Sequence, residues 1–569
     1  MNGRYSIRRV PAVASFVTMC VLLAGCSMFG GDDDPAPAKK TQEPAPAVAW
    51  TTAKPAQVRS GGTLRIGTGA LPANFNPEHA SNSDLDLSTL LSPTVGSAVR
   101  ITADGSWEVD PNYARSVKVV DRDPLRVEVK LNRKAVWQAG TPITAADMIA
   151  YVKAHDGSDD AYQVTSTRGF DTIDTVEQGD DEFEYTVMFD EPIADWPRFI
   201  YPALPEAVSS SATKFNERFV ERSIPSNGPF VVRSIDRERG QVVMEPNHRW
   251  WGSAPKLEKI VWQAADPGVQ IKAVETDELD VVHVAPEQIA DLDGQQVDGA
   301  TVQAAGGTEW TQLTMNGARG ALADVRVRRA VALALDRTEL TRLSVKGLDV
   351  APTVQGSFVL VPGQAGYSDR SEPIATDTKA AAALLDKAGW TLSSDATIRQ
   401  RKGTDLRLVM PVPTRTPTIE RRAEAIAKQL GTVGIAVDLQ SVDAEDYYTG
   451  RIIPLDFDLA TFSHVGSAFP VVESEALFHP VDSGQNFTGL DDDELADLWS
   501  AASSALTDKA RDAAVAKVDD RLFRDVPIVP LGVVPDVAVV RDTVVNIGAH
   551  QFQRPDWTVV GFRAQKKDG

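Results

Sequence analysis

Cysteine is nearly absent from this 569-residue chain: Cys20 and Cys26 are the whole complement, and both fall in the first 26 residues. The remainder therefore has no thiol for a disulfide, a nucleophile or a metal site. Its stability must come from a large apolar core. About 500 residues can supply one, but they exceed the size at which single cores stop growing, which predicts two or three lobes.

Positive charge is also in deficit. Lys and Arg number 58 against 79 Asp and Glu, a formal net charge of −21, which argues against nucleic acid as a partner. Loss of Arg4, Arg8 and Arg9 with a leader would take the chain to −24. No apolar stretch reaches the roughly 20 residues of a membrane-spanning helix. The words G-x-S-x-G and H-E-x-x-H, the Walker P-loop and the EF-hand loop are all missing. His79, His155, His248, His283, His464, His479 and His550 are scattered without ligand spacing, so neither a metal site nor a cofactor is expected. Ser211-Ala-Thr-Lys214 matches the S-x-x-K word of penicillin-interacting serine enzymes, but its S-D-N and K-T-G companions are absent. The chain reads as a non-enzyme.

What is present begins at the N-terminus. Arg4, Arg8 and Arg9 precede an apolar stretch from Val10 to Ala24, which closes on Leu23-Ala24-Gly25-Cys26. That is a secretory signal, residues 1–25, ending in a lipoprotein cleavage box. Cys26 is the expected lipidation site, and the lipid the expected link to the extracytoplasmic face of the cell membrane. The Arg8-Arg9 pair raises twin-arginine export, but its surroundings fit that signal poorly. Residues 26–60, with Asp32-Asp33-Asp34 and Pro-Ala repeats, read as a disordered tether. Trp50 has no explanation within it.

The body starts near Gly61-Gly62. Thr63 to Gly67 and Leu125 to Leu131 alternate as strands do, and Thr144 opens a helix with Asp147 in a capping box. Glu182 to Phe189 is a further strand, Pro225 to Gly228 a turn, and 231–235 with 241–245 a hairpin. Beyond Asn316 helices alternate with strands. Asp324 can cap a helix through Leu343, and Asp377 one through Lys387 with Gly389 as its stop. Leu406 to Met410, Thr418 to Leu430 and Ile435 to Gln440 follow as strand, helix and strand, which predicts an α/β lobe with a largely parallel sheet. Strands return at 526–532 and 537–540.

Four segments in order carry a resemblance to a family. They are Gly61-Gly-Thr-Leu-Arg-Ile-Gly67 with Phe75-Asn-Pro77; Trp107 to Pro111 running through Leu131 to Asp147; Ser226-Asn-Gly-Pro-Phe230 with Glu245 to Gly252; and Asp324 to Asp336 with Ala381 to Trp390. On these the chain resembles the extracytoplasmic solute-binding proteins of ABC importers, family 5, the peptide, oligopeptide and nickel-binding group. The resemblance implies an α/β, three-lobed periplasmic-binding-protein-like fold of type II with the extra lobe of the oligopeptide-binding group. Lobe I would comprise 61–92, 224–310 and 535–569, lobe II 93–223, and lobe III 311–534. A ligand would lie between lobes I and III. Trp250-Trp251 reads as core packing, and Arg326, Arg328 and Arg329 as a solvated or interlobe face.

The resemblance also implies which residues meet the ligand: Gly69, Leu71 and Phe75 after the first strand, Trp310 and Asn316, and then Thr414, Arg415, Thr416, His464 and Phe469. In dipeptide-binding relatives an Arg and a Tyr occupy the positions of Thr414 and Thr416. Peptide-binding relatives carry an Asp for the peptide's amino group, whereas Phe462 to Phe469 holds no acid. A buried ammonium without a carboxylate is costly, so a less charged or carbohydrate-like ligand gains ground. Two functions follow as expectations. One is a monomeric, lipid-anchored receptor that delivers a small or peptide-like ligand to ABC permease subunits. The other is a transporter-independent lipoprotein of the same fold acting in cell-envelope glycolipid assembly.

Overall fold

The computed structural model describes residues 42–82, 85–481 and 483–564; the leader and Cys26 lie outside them. The fold is α/β with three lobes. The first rests on a seven-stranded sheet in the order Ala300–Ala305, Asp536–Arg541, Val281–His283, Thr63–Thr68, Lys259–Ala264, Gln241–Pro246 and Phe230–Asp236. Thr63–Thr68 runs parallel to Lys259–Ala264, setting Leu64 opposite Ile260 and Ile66 opposite Trp262. The hairpin expected before and after residues 236–240 forms as Phe230–Asp236 against Gln241–Pro246.

The second lobe is a four-stranded antiparallel sheet, Ala114–Arg122, Leu125–Leu131, Glu184–Phe189 and Ile173–Gln178. Leu125, Val127, Val129 and Leu131 are fully buried while Arg126, Glu128 and Lys130 between them are half-buried. Each of the four contributes about 1.5–3 kcal/mol of burial. Helix Ala145–His155 begins as its capping box requires: Thr144 N donates to Asp147 Oδ2 at 2.8 Å. The other Asp147 oxygen accepts from Glu206 N at 2.7 Å, so the same carboxylate anchors helix Glu206–Ser209.

In the third lobe Glu309–Met315 pairs with Leu459–Val465 and Ile528–Val533, both antiparallel. Arg407–Pro413 pairs parallel with Ala436–Val442, joined by helix Pro417–Gly431. The expected largely parallel sheet is therefore only this βαβ unit; the central three strands come from distant segments and pair antiparallel. Asp377 caps helix Thr378–Lys387 through Lys379 N and Ala380 N, and Gly389 ends it at φ +83°. At that φ a side chain would be strained.

Four further expectations need correction. The helix opened by Asp324 stops at Leu333, and a second, Arg337–Thr341, follows. Asp336 makes the break: its amide goes to Gln429 Oε1 at 2.8 Å, and its carboxylate caps the next helix at Glu339 N. Arg328 is not on a solvated face. It is buried, donating to the carbonyls of Asp525, Leu322 and Ala323. Pro225–Gly228 holds no hydrogen-bonded turn, only a bend beginning at Gly228, and Asn227 instead pairs its side-chain amide with the backbone N and O of Gly96.

The fourth correction concerns the tether. Residues 42–60 lie along the body with their backbone groups paired: Gly306 N donates to Pro46 O, Gln551 N to Ala47 O, Ala49 N to Ala549 O and Asn546 N to Thr51 O. Proline-rich backbone is already extended, so it loses little freedom when laid against another chain segment. Trp50 now has an explanation, its ring tilted against His550 at 5.6 Å. Among the described residues no helix is long and apolar enough to cross a membrane.

Candidate functional site

A cleft of ≈ 840 Å³ opens between segments 78–113, 151–203 and 553–558. Its aromatic wall centres on Tyr113, whose buried ring meets Tyr201 at 5.8 Å, Trp250 at 6.0 Å and Trp251 at 5.6 Å. Such tilted and edge-on contacts suit the ring quadrupoles. Trp251 is fixed by its indole N–H on Asn112 O at 2.6 Å, while Trp250 faces the cleft. Gly96 permits the arrangement, since a Cβ there would lie 1.9 Å from Tyr113 Oη.

Charge lines the same space. Burial would raise Glu78, but His155 and Arg198 outweigh it and hold the carboxyl below its usual range. His155 Nε2 stands 3.6 Å from Glu78 Oε2. Arg100 is spent on Glu108 at 2.6 Å, and Arg198 on Glu473. Arg168 and Arg554 differ: neither has a carboxylate within 4.0 Å among the described residues. Arg554 gives one N–H to Ser88 Oγ at 2.7 Å and is otherwise exposed to solvent. In the same cleft, burial raises the Asp110 carboxyl. Arg168 gives one N–H to Val472 O at 3.4 Å. An aromatic-walled cavity with these two guanidiniums unpaired with any carboxylate among the described residues can take up an apolar ring together with an anionic group.

The hairpin Val99–Ile101 with Trp107–Val109 divides this cleft from a second chamber of ≈ 430 Å³, lined by Trp107, Trp196, Gln364, Phe469, Arg511 and others. Here the second and third lobes are tied together. Val472 N donates to Asp195 Oδ2 at 2.9 Å, Ala194 N to Ser503 O at 2.6 Å, and Arg198 pairs with Glu473. Burial pushes the Asp195 carboxyl up to about 6.

Of the ten ligand residues expected, Phe469 lines the second chamber and His464 a third cavity of ≈ 210 Å³ within the third lobe. The other eight line none of the three cavities. Phe75 is fully buried with the Arg237 guanidinium 5.6 Å from its ring centroid. Leu71 packs half-buried against the first core, and Gly69 is exposed. Trp310 is buried edge-on to His464 at 5.4 Å, and Asn316 spends its amide on Leu455 O, Phe457 O and Ala318 N. These buried residues present no surface to a ligand here. Thr414 N donates to Val442 O, Thr416 Oγ1 to Pro413 O, and Arg415 is exposed, 3.8 Å from Asp443. Ser211 is a helix cap that accepts from Lys214 N. Among the described residues no cluster of three His, Cys, Asp or Glu could hold a metal ion.

Residues 108–485 match the family model of bacterial extracellular solute-binding proteins, family 5 Middle. The chain belongs to this family. As a family 5 protein it is an extracytoplasmic solute-binding protein, and its relatives are binding proteins rather than enzymes. It is similar to the oligopeptide-binding protein OppA of Mycobacterium tuberculosis, 29% identical over 561 residues, covering 97% of this chain and 93% of OppA. It is also similar to the probable monoacyl phosphatidylinositol tetramannoside-binding protein LpqW of that organism, 25% identical over 475 residues, 78% of this chain and 73% of LpqW. Among solved structures, the periplasmic EDTA-binding protein EppA superposes with a TM-score of 0.80 at 23% identity, covering 92% of this chain and all of that one. That likeness bears on the fold of the family 5 protein.

Proposed function

We propose that this family 5 protein is lipid-anchored through Cys26 and holds a small ligand, peptide-like or glycoconjugate-like, in the ≈ 840 Å³ cleft for delivery to an ABC permease. The observation that carries the reading is Arg554, an uncommitted guanidinium beside aromatic walls in a space large enough for a whole ligand. It favours a ligand with an anionic group attached to a ring or apolar body. The nearest acid after the acid-free stretch 462–469 is Glu473, which is taken by Arg198. That leaves a peptide's amino end without a carboxylate from this segment.

Mass spectrometry of the ligand that co-purifies with the chain tests the class: a purely cationic or purely apolar ligand defeats it. Intact-mass analysis tests the anchor, with acyl chains expected on the wild type and none on Cys26→Ser. The similarity to LpqW supports the second reading, a transporter-independent role in cell-envelope glycolipid assembly. A mannosylated phospholipid in the co-purified fraction, with uptake unchanged when the gene is deleted, would decide for it.

A further inference from the structure

Residues 42–53, whose composition suggests a free tether, lie where the first and third lobes join. Among the described residues the chain passes between the seven-stranded sheet and the third-lobe sheet twice: through 306–308, from Ala300–Ala305 to Glu309–Met315, and through 534–535, from Ile528–Val533 to Asp536–Arg541. The two crossings touch. A Cβ on Gly307 would lie 1.7 Å from Val534 O, and Val534 N donates to Glu309 O at 2.8 Å, so a rotation of the third lobe on the first has to turn at this one place.

The strap of residues 42–53 is laid across it. At one end the first lobe holds the strap firmly: beyond the backbone bonds of Ala47, Ala49 and Thr51, the Asn546 side chain accepts from Ala53 N at 2.7 Å and donates to Ala53 O at 3.0 Å. In the middle, Pro46 O accepts the amide of Gly306, within the first crossing, at 2.8 Å. The other end rests on the third lobe, where Ala351 N donates to Glu43 O at 2.8 Å and Gln42 Nε2 to Leu348 O at 3.2 Å. Gln551 ties these parts together. Its backbone N donates to Ala47 O, while its side-chain amide donates to Gly307 O at 3.0 Å and to Pro362 O at 2.8 Å.

The strap bridges rather than fills. A cavity of ≈ 160 Å³ remains between Pro44, Ala45 and Ala47 of the strap and Gly306, Val533 and Pro535 of the crossings, and it shares no lining residue with the two clefts between lobes. Protein interiors are otherwise close-packed, and this space gives the crossings room to turn beneath the strap. Pro44 and Pro46 keep it extended, so seating it costs little chain entropy.

The strap fits an arrangement in which the second and third lobes touch, since Ala365 N donates to Asp104 O at 2.8 Å beside the Val472–Asp195 and Ala194–Ser503 bonds. We propose that residues 42–53 are a clasp on the hinge, which favours this closed arrangement and lets go of the third lobe when the lobes open. The third-lobe end is the one that releases, because it is held by fewer bonds than the first-lobe end and a local opening starts where least is lost. The segment that leads back to Cys26 thus ends on the moving part of the molecule. The clasp acts whether or not Cys26 carries a lipid, and whichever ligand the cleft holds.

The thiol-free body makes the test clean. In the full chain with Cys20→Ser and Cys26→Ser, spin labels on Ser234→Cys of the first lobe and Glu424→Cys of the third, both exposed positions, report the interlobe distance by pulsed electron paramagnetic resonance after any bound ligand has been dialysed away in urea and the chain refolded. The strapped chain should show one dominant, closed distance. Replacing 42–50 by a Gly-Ser run of the same length should raise the ratio of open to closed chains about tenfold, the loss expected from one or two hydrogen bonds. Replacing only 42–45 should do nearly the same with circular dichroism unchanged, because a clasp holds only while both ends are seated, and this milder variant decides the matter if the first fails to fold. An unchanged distance distribution in the folded variants would overturn the clasp. So would a shift with 42–50 replaced but none with 42–45 replaced, which would make the strap a part of the first lobe alone, or a strapped chain that is already open.

Discussion

The cleft around Tyr113 and the third-lobe pocket around Gln312 and His464 both have aromatic walls, yet the first carries Arg168, Arg554, Asp110 and Asp556 and the second no charged side chain. The difference follows from how each is built. The cleft lies between segments from several parts of the chain and stays open to water, so its guanidiniums remain hydrated until a ligand replaces that water. The pocket is sunk into one sheet, where nothing could repay the lost hydration of an ion. Burial acts in the same sense through the third lobe, pushing Asp519 up to about 7 and His464, in the pocket itself, down to about 4.

The strongest way to break this contrast is to put a charge where the pocket refuses it. Gln312→Glu should destabilise the fold by about 3 kcal/mol at neutral pH, whereas Arg554→Glu in the cleft should stay within about 0.5 kcal/mol of the wild type. Urea unfolding of both variants measures it, and equal losses would erase the distinction.

The next effect is on binding. Arg554→Gln should weaken the co-purified ligand by about 1.5–3 kcal/mol, the range for a hydrogen bond to a charged group, with no shift in the thermal midpoint. Calorimetry checks this, and an unchanged affinity would take Arg554 out of the ligand's reach.

A pH series sharpens the account of the third-lobe interior. The Asp519 carboxyl is buried and accepts from Phe358 N at 2.7 Å. Its folded pKa of about 7 exceeds the usual carboxylate value of 3.8. The group therefore binds a proton more tightly folded than unfolded, and its contribution to stability is complete below pH 3.8 and lost as pH rises through 7. Each unit of raised pKa corresponds to about 1.4 kcal/mol. The stability of Asp519→Asn relative to wild type should climb between pH 4 and 7 and level off above; a difference independent of pH would contradict the neutral carboxyl.

The smallest effect is expected from Ser211→Ala, which lines neither cavity. Losing the cap on helix Ala212–Glu217 should cost about 1 kcal/mol, with ligand affinity unchanged. A covalent adduct of Ser211 with a β-lactam probe would show that the S-x-x-K word is more than a cap.

Local signals were legible wherever their physics is local. The alternation of Leu125 to Leu131, the pairing of Thr144 with Asp147 and the Asp377 and Gly389 ends of one helix each depend on residues a few positions apart. The break at Asp336 was not, because Gln429, far along the chain, takes its amide. The order of residues 42–60 was also hidden: composition reports that a segment lacks a core of its own, not that residues 545–551 stand ready to pair with it.

The candidate sites divide in the same way. Family order along the chain pointed to His464 and Phe469, and both line cavities, but Phe75, Trp310 and Asn316 went into the interior. The cleft that holds Arg554 could not be read from its neighbours Gln553, Pro555 and Asp556. Its chemistry arises only when Tyr113, Arg168 and Trp250 arrive from elsewhere. The sequence by itself determined the short-range elements, the thiol-free body and the family, because propensity, capping and composition act over a few residues. Only the tertiary structure decided which guanidiniums are neutralised and which stay free, since ion pairing and desolvation depend on distances in space, not along the chain.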